Sequence, residues 1–335
     1  MAFAQRPDLY FSNMRAMRQP WIICSLLILT LFAHARYTDS QTNAAEAQSA
    51  TPYRLSVSVD EVILTFHVAD SHGLPINDLK LDELSLVDNS KPPRRILTFQ
   101  LLQDFPIRAG ILIDTSESME KNLPGNRAIS IQYAQRLLRQ QTDQAFVMDF
   151  GHVSRILQPW TSDAAALTAG IRRITAGGER RFAGTAIFDN IYRACVYQFG
   201  KIDHAASGNF ILLFSDGEDN GSYLSLKTAV DVCQRTNTAI YAFRADSESS
   251  FGSAGPATLV ELTSETGGRV FHDTGSEAGI YDDLRTIEAD LRNQYRLVYK
   301  PAVLKHDGSF HRIELKAPER VDSITIRSGY YAPAR

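Results

Sequence analysis

The chain has 335 residues, of which 44% are hydrophobic and 22% charged, with a formal net charge of −3 at pH 7. That length and apolar content suffice for two domains and at least one substantial core, and they exclude wholesale disorder. The weakly acidic balance provides no basic footprint for nucleic acid.

The first 35 residues read as an export signal: Arg6, Arg15 and Arg18 precede the apolar run "PWIICSLLILTLF", which ends in the small-residue pattern "AHA". Processing after Ala35 is expected, giving a soluble exported protein, periplasmic or at the cell surface, without stable membrane insertion. Residues 1–35 carry three arginines and one aspartate, so their removal takes the formal charge from −3 to −5. An uncleaved anchor is the competing reading, because the apolar run can cross a thin bilayer if tilted. After cleavage only Cys195 and Cys233 remain, both in helical patterns. Each reads as a small buried hydrophobe, and the two can pair only if their helices are neighbours.

Residues 36–52 are polar and small and read as a flexible linker. An N-terminal β region follows over 53–104, with Leu55, Val57 and Val59 alternating, then Ile63 to Val68, then two strands separated by "DNSKPP". From 105 to 295 strands and helices alternate. "AGILI" is a strand, "AISIQYAQRLLRQ" a helix through Ile129, Tyr133, Leu137 and Leu138, "QAFVMDF" a strand, and "VSRILQPW" an antiparallel edge strand. Helices at "DAAALTAGIRRI" and "TAIFDNIYRACVYQF" precede the apolar strand "NFILLFSD"; a helix, the strand "AIYAFRA", another helix, the short strand "RVFHD" and a closing helix complete the region. This rhythm predicts an α/β fold with a doubly wound, mostly parallel sheet whose ligand site forms at the carboxyl ends of the strands. The tail, 296–335, contains three more strand patterns, "YRLVYKP", "GSFHRIELKAP" and "DSITIRSGYY". They are placed against the N-terminal β region, so that both flanks build one accessory β-sandwich.

Three oxygen-rich segments fall at the carboxyl edge of that sheet. "DTSES" offers Asp114, Ser116 and Ser118, which share a face if the strand end stays extended. Thr185 opens a helix after Gly184, where a threonine also serves as an N-cap. Asp216 ends the most buried strand, with Gly217 permitting a sharp turn. Three hydroxyls with two carboxylates, acting directly or through water, make an oxygen site that leaves a cation undercharged and receptive to an acidic group from a partner. Mg²⁺ fits such a compact site, and Mn²⁺ substitutes on ligand chemistry.

These five positions match the metal-ion-dependent adhesion site of von Willebrand factor type A domains: DxSxS at Asp114, Ser116 and Ser118, then Thr185 and Asp216. The resemblance covers roughly residues 105–295, and the flanks look like those of an exported bacterial subgroup of such proteins, common in Acidobacteria. It implies a non-catalytic module that binds a protein ligand through the ion. The partner is an unidentified protein supplying an acidic residue.

Other readings stand beside this one. Asp216 with Gly217 can be only a strand-ending turn, Thr185 only a cap and the serines only a loop, and the protein a metal-independent envelope scaffold or a metal-assisted hydrolase built on Ser116. The hydrolase lacks an identified general base. "DGEDNG" imitates part of a calcium loop, but Lys227 stands where a bidentate glutamate is required. Glu218 and Asp219 read as acids on the rim of the ion site, and Arg180 and Arg181 as charge beside it. The pairs His67 with His72 and His306 with His311 have no cysteines to complete a zinc-finger pattern.

Overall fold

The computed structural model describes residues 60–103, 105–136, 138–139, 142–176, 184–202, 208–244, 254–272 and 277–333, all within one compact unit, Ser56–Arg335. The expected signal, the linker, the strand pattern at 55–59, and Arg180 with Arg181 lie outside the described residues. No helix among the described residues is long and apolar enough to cross a membrane.

The central sheet has six strands: β4 (Ile107–Asp114), β5 (Gln144–Phe150), β6 (Ser154–Thr161), β7 (Gly208–Ser215), β8 (Thr238–Arg244) and β9 (Val270–His272). Their order is β6-β5-β4-β7-β8-β9, with every pairing parallel except that of edge strand β6. Strands β4 and β7 are buried almost end to end because helices cover both faces. On one face Ile111, Ile113, Phe210, Leu212 and Phe214 meet α1 (Leu123–Arg136), α2 (Ala164–Arg172) and α6 (Glu277–Arg292). On the other, Leu112, Ile211 and Leu213 meet α3 (Ile187–Tyr197), α4 (Leu226–Arg235) and α5 (Gly255–Thr266). The chain leaves β4 toward one face and β7 toward the other, and their carboxyl ends therefore frame the crevice where ligands bind in open α/β sheets.

Both flanks fold into antiparallel sheets, in agreement with the expected architecture. One sheet has the order β12-β1-β10-β3, from β12 (Ser323–Ile326), β1 (Val62–Ala69), β10 (Asn293–Lys300) and β3 (Arg95–Gln103). The other is β13-β11-β2, from β13 (Gly329–Tyr331), β11 (Phe310–Lys316) and β2 (Ser85–Asp88). Leu64, Phe66, Tyr295, Leu297 and Tyr299 from the first sheet and Leu86, Ile313 and Tyr330 from the second fill a shared core. Inside it the Asp88 carboxylate accepts hydrogen bonds from the hydroxyls of Tyr299 and Tyr330, 2.8 Å each, and meets Nδ1 of His311 at 2.7 Å.

The structure corrects two elements. The single strand expected at "DSITIRSGYY" is two strands in different sheets, β12 beside β1 and β13 beside β11. The chain crosses between sheets at Arg327 and Ser328, and Gly329 then lies so close to β11 that a Cβ there would run into the His311 carbonyl. Helix α1 begins earlier than its periodicity suggested, at Leu123, which is itself buried; Leu138 packs against the core from outside the helix.

The flanks are tied to the α/β core by short connections and buried polar contacts. Strand β10 follows α6 without an intervening residue. The His67 Nδ1 donates to the Asn293 carbonyl at 3.0 Å, and its Nε2 lies 3.5 Å from Asp290, which also pairs with Arg269. Burial raises the Asp290 carboxyl, with Arg269 and His67 opposing. The two histidine pairs singled out by spacing are thus divided among separate contacts: His67 at this joint, His72 in an exposed turn, His306 beside Asp60 and His311 in the sandwich core.

Candidate metal centre

Asp114 is the last residue of β4 and is fully buried. One carboxylate oxygen accepts the Ser116 backbone N–H at 2.9 Å, and the other accepts the Ser215 hydroxyl at 2.8 Å. Burial pushes the Asp114 carboxyl up to about 7 against the pull of the Ser116 and Ser215 hydrogen bonds, and the neighbouring Asp216 adds to the rise. Two buried carboxylates close enough to repel are stabilised by a cation between or beside them.

The serines reach the crevice by a route other than the one expected. Strand β4 stops at Asp114, and residues Glu117–Met119 form a turn of 3₁₀ helix, so Ser118 is brought round by the turn and not by an extended strand. Thr115 fixes this bend, its N–H and hydroxyl both donating to the Phe150 carbonyl at the end of β5, at 2.7 and 3.0 Å. The Ser116 and Ser118 hydroxyls end 3.3 Å apart.

Thr185 does not cap α3. The N-cap is Ala186, and the exposed donors of the first turn are taken by the next segment: Phe188 N–H donates to Asp219 at 3.1 Å and Asp189 N–H to the Ser222 hydroxyl at 3.2 Å. Thr185 is held through its backbone, its N–H on the Asn220 side-chain oxygen at 2.7 Å and its carbonyl accepting from Asn220 and Gly221. Its own hydroxyl makes no hydrogen bond among the described residues, although the residue is only 3% exposed. Asp216, 4% exposed, accepts the Glu218 N–H with one oxygen and makes no hydrogen bond with the other among the described residues. Gly217, at φ 85°, makes the turn away from Asp216, and a Cβ there would strike the Gly255 carbonyl.

Two acids expected on the rim are engaged at helix N-termini instead. Glu218 accepts the N–H of Gly255, the first residue of α5, at 2.8 Å, and Asp219 accepts from Phe188 and from the Ser222 hydroxyl. Carboxylates there satisfy unpaired N–H groups and oppose the helix dipole. Asp219→Asn is therefore expected to lower stability by about 1 kcal/mol while changing cation affinity no more than about threefold, since the caps remain partly made. Thermal melts and cation titration of the variant check this.

Ser215 and Asn220 escaped the sequence reading. Ser215 is a hydroxyl at the end of an otherwise apolar strand, a signal that was present; Asn220 carries none. His152, isolated in the sequence, lies in the turn after β5 beside Gly221 and Thr185. Among the described residues no group of three His, Cys, Asp or Glu is arranged to hold a metal ion.

A model of the von Willebrand factor type A domain matches residues 110–286. The chain belongs to the von Willebrand factor type A family. The match spans β4 to α6 and contains all five candidate residues. Domains of this family mediate protein–protein interactions and commonly hold a divalent metal ion. Among curated proteins none matches the chain. Solved structures similar to it include BatB from Bacteroides thetaiotaomicron, 15% identical over 54% of this chain and 97% of that one, TM-score 0.45. Proximal thread matrix protein 1 from the mussel byssus, in a form with a zinc-occupied MIDAS motif, is 15% identical over 60% of this chain and 50% of its own, TM-score 0.47. A von Willebrand factor type A protein from Catenulispora acidiphila is 14% identical over 76% and 75%, TM-score 0.43.

Proposed function

We propose that this protein is an exported, divalent-cation-dependent protein-binding module. The Ser116, Ser118 and Thr185 hydroxyls hold the cation, and Asp114 and Asp216 supply charge directly or through bound water. The observation that carries this reading is the release of Thr185 from helix capping: Asp219 and Ser222 take that work, which leaves a threonine hydroxyl and an Asp216 oxygen available on two buried residues at one edge of the sheet. The donor set is all oxygen and mostly neutral, which suits Mg²⁺ with retained waters, and Mn²⁺ by substitution. A cation so bound remains short of negative charge, and an acidic side chain of the partner completes its shell.

The chain's own residues orient this site more than they act on a substrate. Ser215 and the Ser116 N–H fix both oxygens of Asp114, Thr115 fixes the bend, and Asn220 fixes Thr185. We read the protein as non-catalytic: the carboxylate beside Ser116, that of Asp114, is fully buried, accepts from Ser116 and from the Ser215 hydroxyl, and serves the proposed cation site. Export to the periplasm or cell surface is supported by the signal-like start and by the Cys195–Cys233 disulfide, a bond that persists in oxidising compartments.

The test is capture of partners from an envelope extract in Mg²⁺, in chelator, and with Asp216→Ala. The expected result is a partner retained only by the wild type in Mg²⁺. Equal retention in all three would support the metal-independent scaffold, and cation-dependent turnover of a substrate would support the hydrolase.

A further inference from the structure

The Cys195–Cys233 bond joins the two helices that follow the later segments of the candidate site. Helix α3 begins just after Thr185 and carries Cys195; α4 follows the loop that starts at Asp216 and carries Cys233. At their N-terminal ends the same two segments are already laced together. Asn220 holds the Thr185 N–H, Asp219 and Ser222 take the first donors of α3, and Asp189 accepts from Tyr223 and Leu224 at 3.3 and 2.9 Å. The disulfide adds a covalent tie farther along the pair, between residues buried among Ile191, Ala229, Leu259 and Leu262. Two helices joined at both ends cannot slide or splay independently. Their N-terminal loops, and with them Thr185 and Asp216, keep a fixed separation.

We infer that the Cys195–Cys233 disulfide is a positioning element of the cation site, so that its reduction by a dithiol weakens divalent-cation binding. This rests on the cation-binding reading above. In the reaction one thiolate of the dithiol attacks a cysteine sulfur, the S–S bond breaks and a mixed disulfide forms. The second thiolate displaces the remaining cysteine, leaving two protein thiols and a cyclic disulfide of the reagent, with two electrons transferred to the protein. Both cysteines are fully buried, so the reagent enters only when the helix pair opens. Opening of the pair is the motion that would also separate Thr185 from Asp216.

Coupling of this kind is reciprocal. If reduction weakens the cation, bound cation must make the disulfide harder to reduce by the same factor, which a bond serving stability alone at a distance from the site would not show in the folded protein. The experiment measures Mn²⁺ affinity of the purified protein by electron paramagnetic resonance, oxidised and reduced, with circular dichroism confirming the fold. In parallel, the thiol–disulfide equilibrium is measured in dithiol buffers with and without saturating Mn²⁺. The expected result is affinity lower on the order of tenfold after reduction, within the ordinary range of coupling between sites. The matching shift of the disulfide equilibrium is about tenfold, or about 30 mV. The double variant Cys195→Ala, Cys233→Ala should reproduce the reduced affinity, and in Asp216→Ala the disulfide equilibrium should ignore Mn²⁺. Equal affinity in both redox states, a disulfide equilibrium indifferent to Mn²⁺, or unfolding on reduction each overturns the inference. Absence of Mn²⁺ binding by the oxidised protein overturns the cation reading and this inference with it.

Discussion

Replacing Asp114 by alanine is expected to reduce Mg²⁺ or Mn²⁺ affinity by at least about 100-fold, the upper end of what loss of even an outer-shell partner costs a metal site. The substitution removes the fully buried carboxylate that supplies charge to the crevice, and it also frees the two donors aimed at it, the Ser116 N–H and the Ser215 hydroxyl. The loop carrying Ser116 and Ser118 loses its anchor to β7 at the same time. Calorimetric titration reads the affinity directly. A second reading comes from stability: at a cation concentration 100-fold above its dissociation constant, the wild type should gain about 2.7 kcal/mol by mass action, and the variant no more than about 0.4 kcal/mol. Undiminished affinity in Asp114→Ala would remove the carboxylate from the site and end the ligand assignment. Asp114→Asn keeps the shape and one acceptor oxygen for the Ser116 N–H while removing the charge, its amide nitrogen facing Ser215 as a donor, so comparison of the two variants separates the electrostatic part from most of the loss of the anchor.

The largest loss of stability is expected from Arg292→Met, at about 3–5 kcal/mol, the ordinary cost of stripping one partner from a buried ion pair. Arg292 closes α6 with a side chain 7% exposed, and it pairs with Asp143, whose side chain is fully buried. The Asp143 carboxylate also accepts the N–H groups of Ile107, the first residue of β4, and of Arg139, each at 2.8 Å. One carboxylate thus joins the start of the central strand, the segment after α1 and the end of α6. Burial acts to raise the Asp143 carboxyl, but the hydrogen bonds from Arg292, Arg139 and Ile107 outweigh it, and the group lies below its ordinary value of 3.8. Its contribution to stability is therefore present above the ordinary carboxylate range and is lost as pH falls through the folded value. In Arg292→Met that acid-side loss should be smaller and should end at a higher pH, because the strongest influence holding the carboxyl down is gone. Urea denaturation at pH 7 and at successively lower pH checks both statements, and a variant as stable as the wild type would show that the pair adds little over its desolvation cost. Since β10 continues directly from α6, hydrogen exchange in β10 and β1 should quicken in the same variant.

The order of elements was legible because burial leaves a local trace. "AGILI", "QAFVMDF" and "NFILLFS" are apolar on both faces, and each is a strand of the parallel sheet; "VSRILQPW" follows a tight turn and forms the antiparallel edge. The candidate ligands were legible for a related reason. Short polar residues immediately after such runs must lie at strand ends, and parallel strands bring their carboxyl ends to one edge. The flanks were legible as one sandwich because three strand patterns after the last helix have no ready place in a doubly wound domain, whereas the ends of a domain are commonly close together.

What the amino-acid order determined by itself was therefore which segments are buried, the order of strands and helices in the central domain, and that Asp114, Ser116, Ser118, Thr185 and Asp216 fall at one edge of the sheet. Tertiary structure decided how those residues are used. Thr185 is a cap or a free hydroxyl depending on whether another segment reaches α3, and the one that does carries Asp219 and Ser222, 31 and 33 residues beyond their partners. Asp114 takes its second donor from Ser215, 101 residues away, and Cys195 meets Cys233 across 38. Asp143 finds Arg292 at a separation of 149. "DSITIRSGYY" divides between two sheets because β1 and β11 each offer it an edge. Periodicity along a chain records whether each residue is buried, one position at a time, whereas these pairings depend on which distant segments arrive at the same place, and no local pattern carries that information.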